Sequence, residues 1–296
     1  MTYAPHAFTP DVENVLRLPT WVSPGRVETI EDVAFLSGAA LSHLHRVLTH
    51  QTVPQALLRG RLALSAAEVC LANMGRPERG GDLRDAVAFV RPGDSPGPMG
   101  EMYRGWQRAV ERDGSARAMQ RALPGVQEGE IAAWLNVGQG APVSCAAAVV
   151  EARLDARPRD PATALILGEA ALSRALRWSH VVPVLSLGLK RADLRKTGEA
   201  LRFVCHRAIV AAVPEISREA ADLARRAAHL KTVAPKLRAK GAEAAVDLFL
   251  TWDALAPTAL ASLRSNRARL RFCDRLVELG AVRELTGRDT FRLYGL

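Results

Sequence analysis

Residues Ser265 to Tyr294 read SNRARLRFCDRLVELG, AVREL, TGRD and TFRLY, and they decide the fold of the C-terminal part of the chain. Ser265 can cap a helix with its hydroxyl, and Gly280 can take the left-handed conformation that ends one. The apolar residues beyond it are spaced as on two short strands joined by a polar turn that contains glycine: Val282, Leu285, Phe291 and Leu293. The stretch therefore predicts a capped helix followed by a β-hairpin.

Two further helical patterns precede this stretch, one at 242–250 and one at about 254–263. The order helix, helix, recognition helix and β-wing is that of a winged helix-turn-helix, a DNA-reading module. We therefore predict a mainly α protein, in which a helical bundle is followed by a C-terminal winged helix-turn-helix with a short β-hairpin wing. The predicted boundary separates an α-helical domain at 1–235 from a winged domain at 236–296.

One face of the predicted recognition helix is basic. Arginines at i, i+4 and i+8 lie opposite the apolar arc, where a major groove would lie, and arginine pairs bidentately with guanine or phosphate. The predicted DNA contacts are these three arginines, the asparagine at the helix start and the arginine at the wing tip: Asn266, Arg267, Arg271, Arg275 and Arg288. One alternative is that these arginines form a solvated helix face with salt bridges to Asp274 and Glu278. Another is that the winged module serves dimerisation or protein docking.

Several phrases of the sequence resemble an uncharacterised bacterial family, a domain of unknown function that ends in a helix-turn-helix. The tail carries the resemblance at 274–288 and 291–294, and further phrases lie at 83–86, 91–98, 190–195 and 233–242. The resemblance spans most of the chain. It implies a DNA-binding tail and no defined activity.

The tail also resembles the winged module that follows the catalytic domain in many Fic-type AMP transferases. That enzyme class is marked by a His-Pro-Phe start and a Gly-Asn-Gly-Arg phosphate loop. In this chain no histidine is followed by proline, and no Gly-Asn-Gly occurs. The resemblance therefore stops at the tail, although a degenerate relative of these enzymes stays an alternative.

Charge and composition favour a polyanionic partner. The net charge is +9 and the pI is near 10, and residues 231–296 alone hold 12 basic and 7 acidic side chains. Only five of the 40 basic residues are lysine, a bias that a GC-rich genome also produces. The position of the excess charge is therefore the better argument for double-stranded DNA as partner.

The remaining patterns narrow the class of protein. The four cysteines are widely spaced in apolar helical contexts, which predicts free thiols and a reducing compartment. Neither an export signal at the N-terminus nor an apolar membrane span is visible, so we expect a cytoplasmic protein that does not contact membranes. No pattern indicates a metal site or a cofactor.

Helical spacing continues through the first 235 residues, with helices expected at about 29–48, 54–74, 99–112, 127–135, 142–154, 161–176, 198–213 and 215–232. Glu199, Cys205, His206 and Arg207 are the best catalytic candidates in this part, with Asp193 and Arg195 just before their helix. Consecutive residues of a helix point about 100° apart, so the Cys-His pair cannot act as a dyad, and we interpret the group as structural. This part is expected to form a homodimer, to sense a ligand or to bind a partner. For the whole chain, the leading interpretation is a transcriptional regulator or another DNA-associated factor.

Overall fold

The computed structural model describes residues 17–23, 25, 29–91, 93–237 and 239–296. The N-terminal residues, where the sequence predicts no export signal, lie outside the described residues. The described residues form twelve α-helices: α1 (Ile30–Leu48), α2 (Gln55–Asn73), α3 (Gly80–Ala88), α4 (Gly97–Val110), α5 (Ala116–Ala122), α6 (Glu128–Leu135), α7 (Pro142–Ala156), α8 (Pro161–Ala175), α9 (Leu185–Gly188), α10 (Gly198–Val233), α11 (Ala242–Phe249) and α12 (Asn266–Glu278). The protein is therefore mainly helical, as the sequence predicts. None of these helices is long and apolar enough to span a lipid bilayer.

The helical part is built around α8. Every residue of this helix from Ala162 to Ser173 is buried, and α7, α9, α6 and α4 pack against it. Asp160 caps α8, since its Oδ1 accepts a hydrogen bond from Thr163 N at 3.2 Å. Pro161 occupies the first turn, where its missing N–H costs nothing.

Helix α10 corrects the prediction of two helices at 198–213 and 215–232. It runs unbroken over 36 residues, with Pro214 inside it. An internal proline costs a helix about 3 kcal/mol because it removes one backbone hydrogen bond and crowds the preceding turn. Buried residues on both sides of Pro214, among them Ile209 and Ile216, offset this cost by packing against the bundle, chiefly α1.

The C-terminal part contains α11, α12 and a small antiparallel sheet. Strands β1 (Arg283–Glu284) and β2 (Tyr294–Gly295) pair with Glu284 opposite Tyr294, and an isolated bridge joins Leu255 to Tyr294 on the other side. A hydrogen bond of 2.8 Å from Leu285 N to Leu293 O extends the ladder. The hairpin loop is therefore longer than the tight turn that the sequence suggested.

The helix predicted at about 254–263 is not formed. Only a short 3-10 helix, Pro257–Ala259, lies there. A proline disfavours the helical conformation in the residue before it, and Ala256 is indeed extended, with φ −75° and ψ 147°. Leu255 is held instead by backbone hydrogen bonds of 2.8 and 2.9 Å to Tyr294.

All four cysteines are free, as predicted. Cys70, Cys205 and Cys273 are buried, and burial raises the pKa of each thiol to about 12. Cys145 is partly exposed, and its thiol donates to Gly140 O at 3.4 Å. Three of the four thiols are thus shielded and protonated.

We expect a thiol reagent to count four free thiols in the denatured, unreduced protein. In the native protein Cys145 should react first, because the other three side chains are buried and reaction requires an accessible thiolate. Mass spectrometry of the labelled peptides would identify the site. A count of two or fewer in the denatured protein would contradict the prediction.

Candidate nucleic-acid interface

The sequence of α12 sets both of its ends. Ser265 Oγ accepts a hydrogen bond from Ala268 N at 3.2 Å, which is the predicted N-cap. After the helix, Gly280 takes a φ of +66°, and Ala281 N donates to Leu276 O at 2.9 Å. A side chain at position 280 would be strained in this conformation, so glycine ends the helix here.

The inward side of α12 is apolar. Phe272, Cys273 and Leu276 are buried. Arg269, beside them, forms hydrogen bonds to two backbone carbonyl groups. Its Nε donates to Leu263 O at 3.2 Å and its Nη1 to Thr258 O at 3.3 Å. Arg269 therefore stabilises the turn before the helix, which accounts for an arginine close to the apolar arc.

The outward side of α12 carries four of the five predicted DNA contacts. Asn266, Arg267, Arg271 and Arg275 are all exposed. Arg275 forms an ion pair of 2.9 Å with Glu278, whereas Arg267 and Arg271 have no ion pair with any described residue. An exposed pair such as that of Arg275 is worth about 0–1 kcal/mol, so all three guanidinium groups are accessible to a polyanion.

The loop between the strands is shaped by Glu284. Its carboxylate accepts hydrogen bonds from Thr286 N at 2.8 Å, from Gly287 N at 2.7 Å and from the Thr286 hydroxyl. Burial raises the pKa of Glu284, but these hydrogen bonds outweigh it, and the net pKa is lowered. The ionised side chain thus holds the start of the loop in place.

The fifth predicted contact, Arg288, is paired with a carboxylate of the helical part. Its Nη2 is 2.7 Å from Asp85 Oδ2 on α3, and its guanidinium lies 5.3 Å from the ring centre of Phe89. Phe291 packs edge-on against the same ring, with 5.5 Å between centres. The hairpin loop is therefore docked on the helical part, and a phosphate at Arg288 would have to compete with Asp85.

A buried ion-pair cluster that we did not predict also joins the C-terminal part to the helical part. Asp253 is only 6% exposed. Its carboxylate lies 2.5 Å from Arg61 Nε on α2 and accepts hydrogen bonds of 2.6 and 3.1 Å from Arg84 on α3. Arg61 Nη2 also donates to the Leu296 carbonyl at 2.5 Å. The only sequence signal for this cluster is an aspartate beside an apolar helix end.

The catalytic candidates of α10 do not converge on a common site. His206 Nδ1 lies 2.5 Å from Ser37 Oγ in a buried contact between α10 and α1. The side chain of Glu199 is 72% exposed, and Asp193 pairs with Lys196 at 2.9 Å. His206 thus joins two helices, whereas the interpretation of the other members as structural stays a prediction.

Comparison with protein families finds a match over nearly the whole chain. The model of a family described as "Protein of unknown function (DUF1403)" matches residues 6–296. The predicted resemblance to an uncharacterised family is thereby confirmed. No curated protein matches the chain.

Proposed function

We propose that this chain, which belongs to the DUF1403 family, binds double-stranded DNA through a C-terminal winged helix and acts as a transcriptional regulator or another DNA-associated factor. The observation that carries the proposal is the outward face of α12, where Arg267 and Arg271 are exposed and have no ion pair with any described residue. Arginine in this position suits both guanine edges and phosphates. A DNA partner also agrees with the predicted cytoplasmic location.

The order of elements supports the winged-helix part of the proposal. Helix α11 is followed by the extended residue Leu255, a 3-10 turn, α12 and the two strands. Tyr294 pairs with Leu255 on one side and with Glu284 on the other. In this proposal the 3-10 turn stands where a winged helix has its second helix, and β1, β2 and their loop form the wing.

The docked loop changes what the wing would do. Because Arg288 is paired with Asp85, we assign direct DNA contact first to Asn266, Arg267, Arg271 and Arg275. Arg288 would serve as a phosphate contact only after it leaves Asp85. The helical part would thus hold α12 and the hairpin in a fixed orientation.

A second candidate function is protein docking through the same helix. Leu270 and Val277 are 37% and 38% exposed beside the arginine row. Contiguous apolar patches at a surface mark sites where proteins meet, and these two side chains, seven positions apart, share one face of the helix. In this alternative the arginines would pair with acidic groups of a protein partner and not with DNA.

Changing Arg267 and Arg271 together to alanine is expected to relax sequence preference. A base-reading arginine contributes about 1–3 kcal/mol of discrimination against the wrong base. The wild type and the double variant would be titrated by fluorescence anisotropy against a duplex selected from a random pool and against random duplexes, at several salt concentrations. Arg275→Ala is expected to remove a phosphate contact. For all sequences, the slope of the logarithm of the binding constant against the logarithm of the salt concentration should then become shallower by roughly one unit.

The matched control is the double variant Arg202→Ala and Arg218→Ala, which removes the same charge from exposed positions on α10. It should retain the preference for the selected duplex. If the α12 variant and the wild type bind both kinds of duplex alike, α12 does not read DNA, and protein docking becomes the better proposal.

A further inference from the structure

A cavity in the helical part lies far along the chain from the proposed DNA-reading helix. It has a volume of about 900 Å³ and opens between α4, the loop after α5, and the junction of α7 with α8. A volume of this size suits a small molecule. Apolar side chains form part of its wall: Met102, Leu123, Val126 and Ile166.

A buried arginine lines this cavity and is only partly hydrogen-bonded. The Arg153 side chain is 5% exposed and forms one ion pair, from Nη2 to Asp160 Oδ2 at 2.7 Å. Its Nε and Nη1 are buried and have no hydrogen-bond partner among the described residues. Asp160 also caps α8 through its other oxygen, so one carboxylate serves both the guanidinium and the helix.

A second arginine that lines the cavity, on α4, also has a buried nitrogen without a hydrogen-bond partner among the described residues. Arg108 lines the cavity, and its buried Nε has no hydrogen-bond partner in the described part of the chain. Its nearest carboxylate oxygen, Glu101 Oε2, is 3.8 Å from Nη2, which is longer than a good charged hydrogen bond. Arg157 and Arg159 add exposed positive charge at the α7–α8 junction.

Unfilled donors on a buried charge are costly, and in native proteins they call for a specific explanation such as a bound ion. Both arginine side chains line the cavity, but their unpaired nitrogens are closed to solvent. After a small shift of the two side chains, an anion between Arg108 and Arg153 would supply the missing acceptors. The N-terminus of α8 adds a positive end at the same place, since Thr163 of its first turn also lines the cavity. The apolar wall would meanwhile cover an uncharged body.

We propose that this cavity binds a small organic acid, with its anionic group held between Arg108 and Arg153 and its apolar body on Met102, Val126 and Ile166. Binding of the acid to this cavity does not require DNA, because the cavity and its arginines belong to the helical part. The site would give the helical part the ligand-sensing role that the sequence leaves open. Its existence does not depend on the proposed DNA contacts.

Isothermal titration calorimetry of the full chain tests the proposal with three probes. Phenylacetate carries a carboxylate on an apolar body, phenylacetamide has the same shape without charge, and inorganic phosphate has charge without the body. We expect phenylacetate to bind with a millimolar or lower dissociation constant and the other two to bind much more weakly. Arg153→Lys and Arg108→Met should weaken phenylacetate roughly ten- to hundredfold, because each removes charged hydrogen bonds.

The control variant is Arg46→Met, an exposed change on α1 that lies outside the cavity, and it should bind like the wild type. Arg108 is about one-third exposed, so its variant tests the proposal even if Arg153→Lys fails to fold. Equal binding of acid and amide, or no loss in Arg108→Met, would overturn the proposal. So would the absence of phenylacetate binding at millimolar concentration.

Discussion

Replacing Asp253 by alanine is expected to lower the free energy of unfolding by about 3–5 kcal/mol, the cost of breaking a buried ion pair from one side. The side chains of Arg61 and Arg84 are only 18% and 14% exposed, and Asp253 is the carboxylate that both of them contact. Burial lowers the pKa of Arg84, but the hydrogen bond and charge of Asp253 outweigh it and raise the pKa overall. Without Asp253, two desolvated guanidinium groups would remain.

Urea unfolding followed by circular dichroism measures this loss directly. Asp253→Asn keeps the shape of the side chain and gives a milder second variant if the alanine protein does not fold.

Asp247→Ala is the matched control, since it removes the same charge from an exposed position on α11. Its effect should stay within about 0.5 kcal/mol, as for most surface substitutions. If Asp253→Ala is no more destabilising than Asp247→Ala, the cluster does not hold the two parts together.

Glu169 is expected to make the protein less stable as the pH rises. It is fully buried on α8, where Oε1 accepts hydrogen bonds from Val184 N, Ser186 N and Ser186 Oγ at 2.8–2.9 Å. Its Oε2 is buried without a hydrogen-bond partner among the described residues. Burial raises the pKa of Glu169 from 4.5 to about 7, although the hydrogen bonds from Ser186 and Val184 lower it in part.

The sign of this effect follows from proton binding. Between pH 4.5 and about 7 the folded state holds a proton on Glu169 that the unfolded state has lost, so stability falls as the pH rises through this window. At about 1.4 kcal/mol for each pKa unit, the loss is about 3 kcal/mol. Cys70 and Cys205 lie nearby, but burial raises the pKa of each to about 12, so they stay neutral throughout.

Glu169→Gln, which resembles the protonated acid, should remove this dependence. Denaturant unfolding of both proteins at about pH 5 and pH 8 would show the glutamine variant gaining about 3 kcal/mol relative to wild type at the higher pH. Glu199→Gln, at an exposed carboxylate, is the control, and its effect should be the same at both pH values. A constant difference for Glu169→Gln as well would contradict the prediction.

Local sequence was sufficient for most helix ends. Thr29 caps α1 by accepting a hydrogen bond from Asp32 N at 3.1 Å, and Ser265 caps α12 in the same way. Gly280, with its φ of +66°, ends α12. These features are predictable because a cap depends on side chains and backbone groups within one turn of each other.

The errors arose where distant residues decided the conformation. The helix predicted at about 254–263 does not form because Pro257 disfavours it and because Leu255 pairs with Tyr294, about forty positions away along the sequence. Pro214, which falls between the two helices that we predicted at 198–213 and 215–232, lies inside α10 because burial on both sides outweighs its cost. Propensity is a weak prior when tertiary packing opposes it.

For the candidate site, the sequence by itself determined the helix from Asn266 to Glu278 and the arginines on its outward face, because helical periodicity places i, i+4 and i+8 on one side. Only the tertiary structure decided that Arg288 meets Asp85 and that Asp253 meets Arg61 and Arg84. It also brought Arg108 and Arg153 to one cavity. The physical reason is that an ion pair needs proximity in space, and partners separated by about 170–200 positions leave no periodic signal in the sequence.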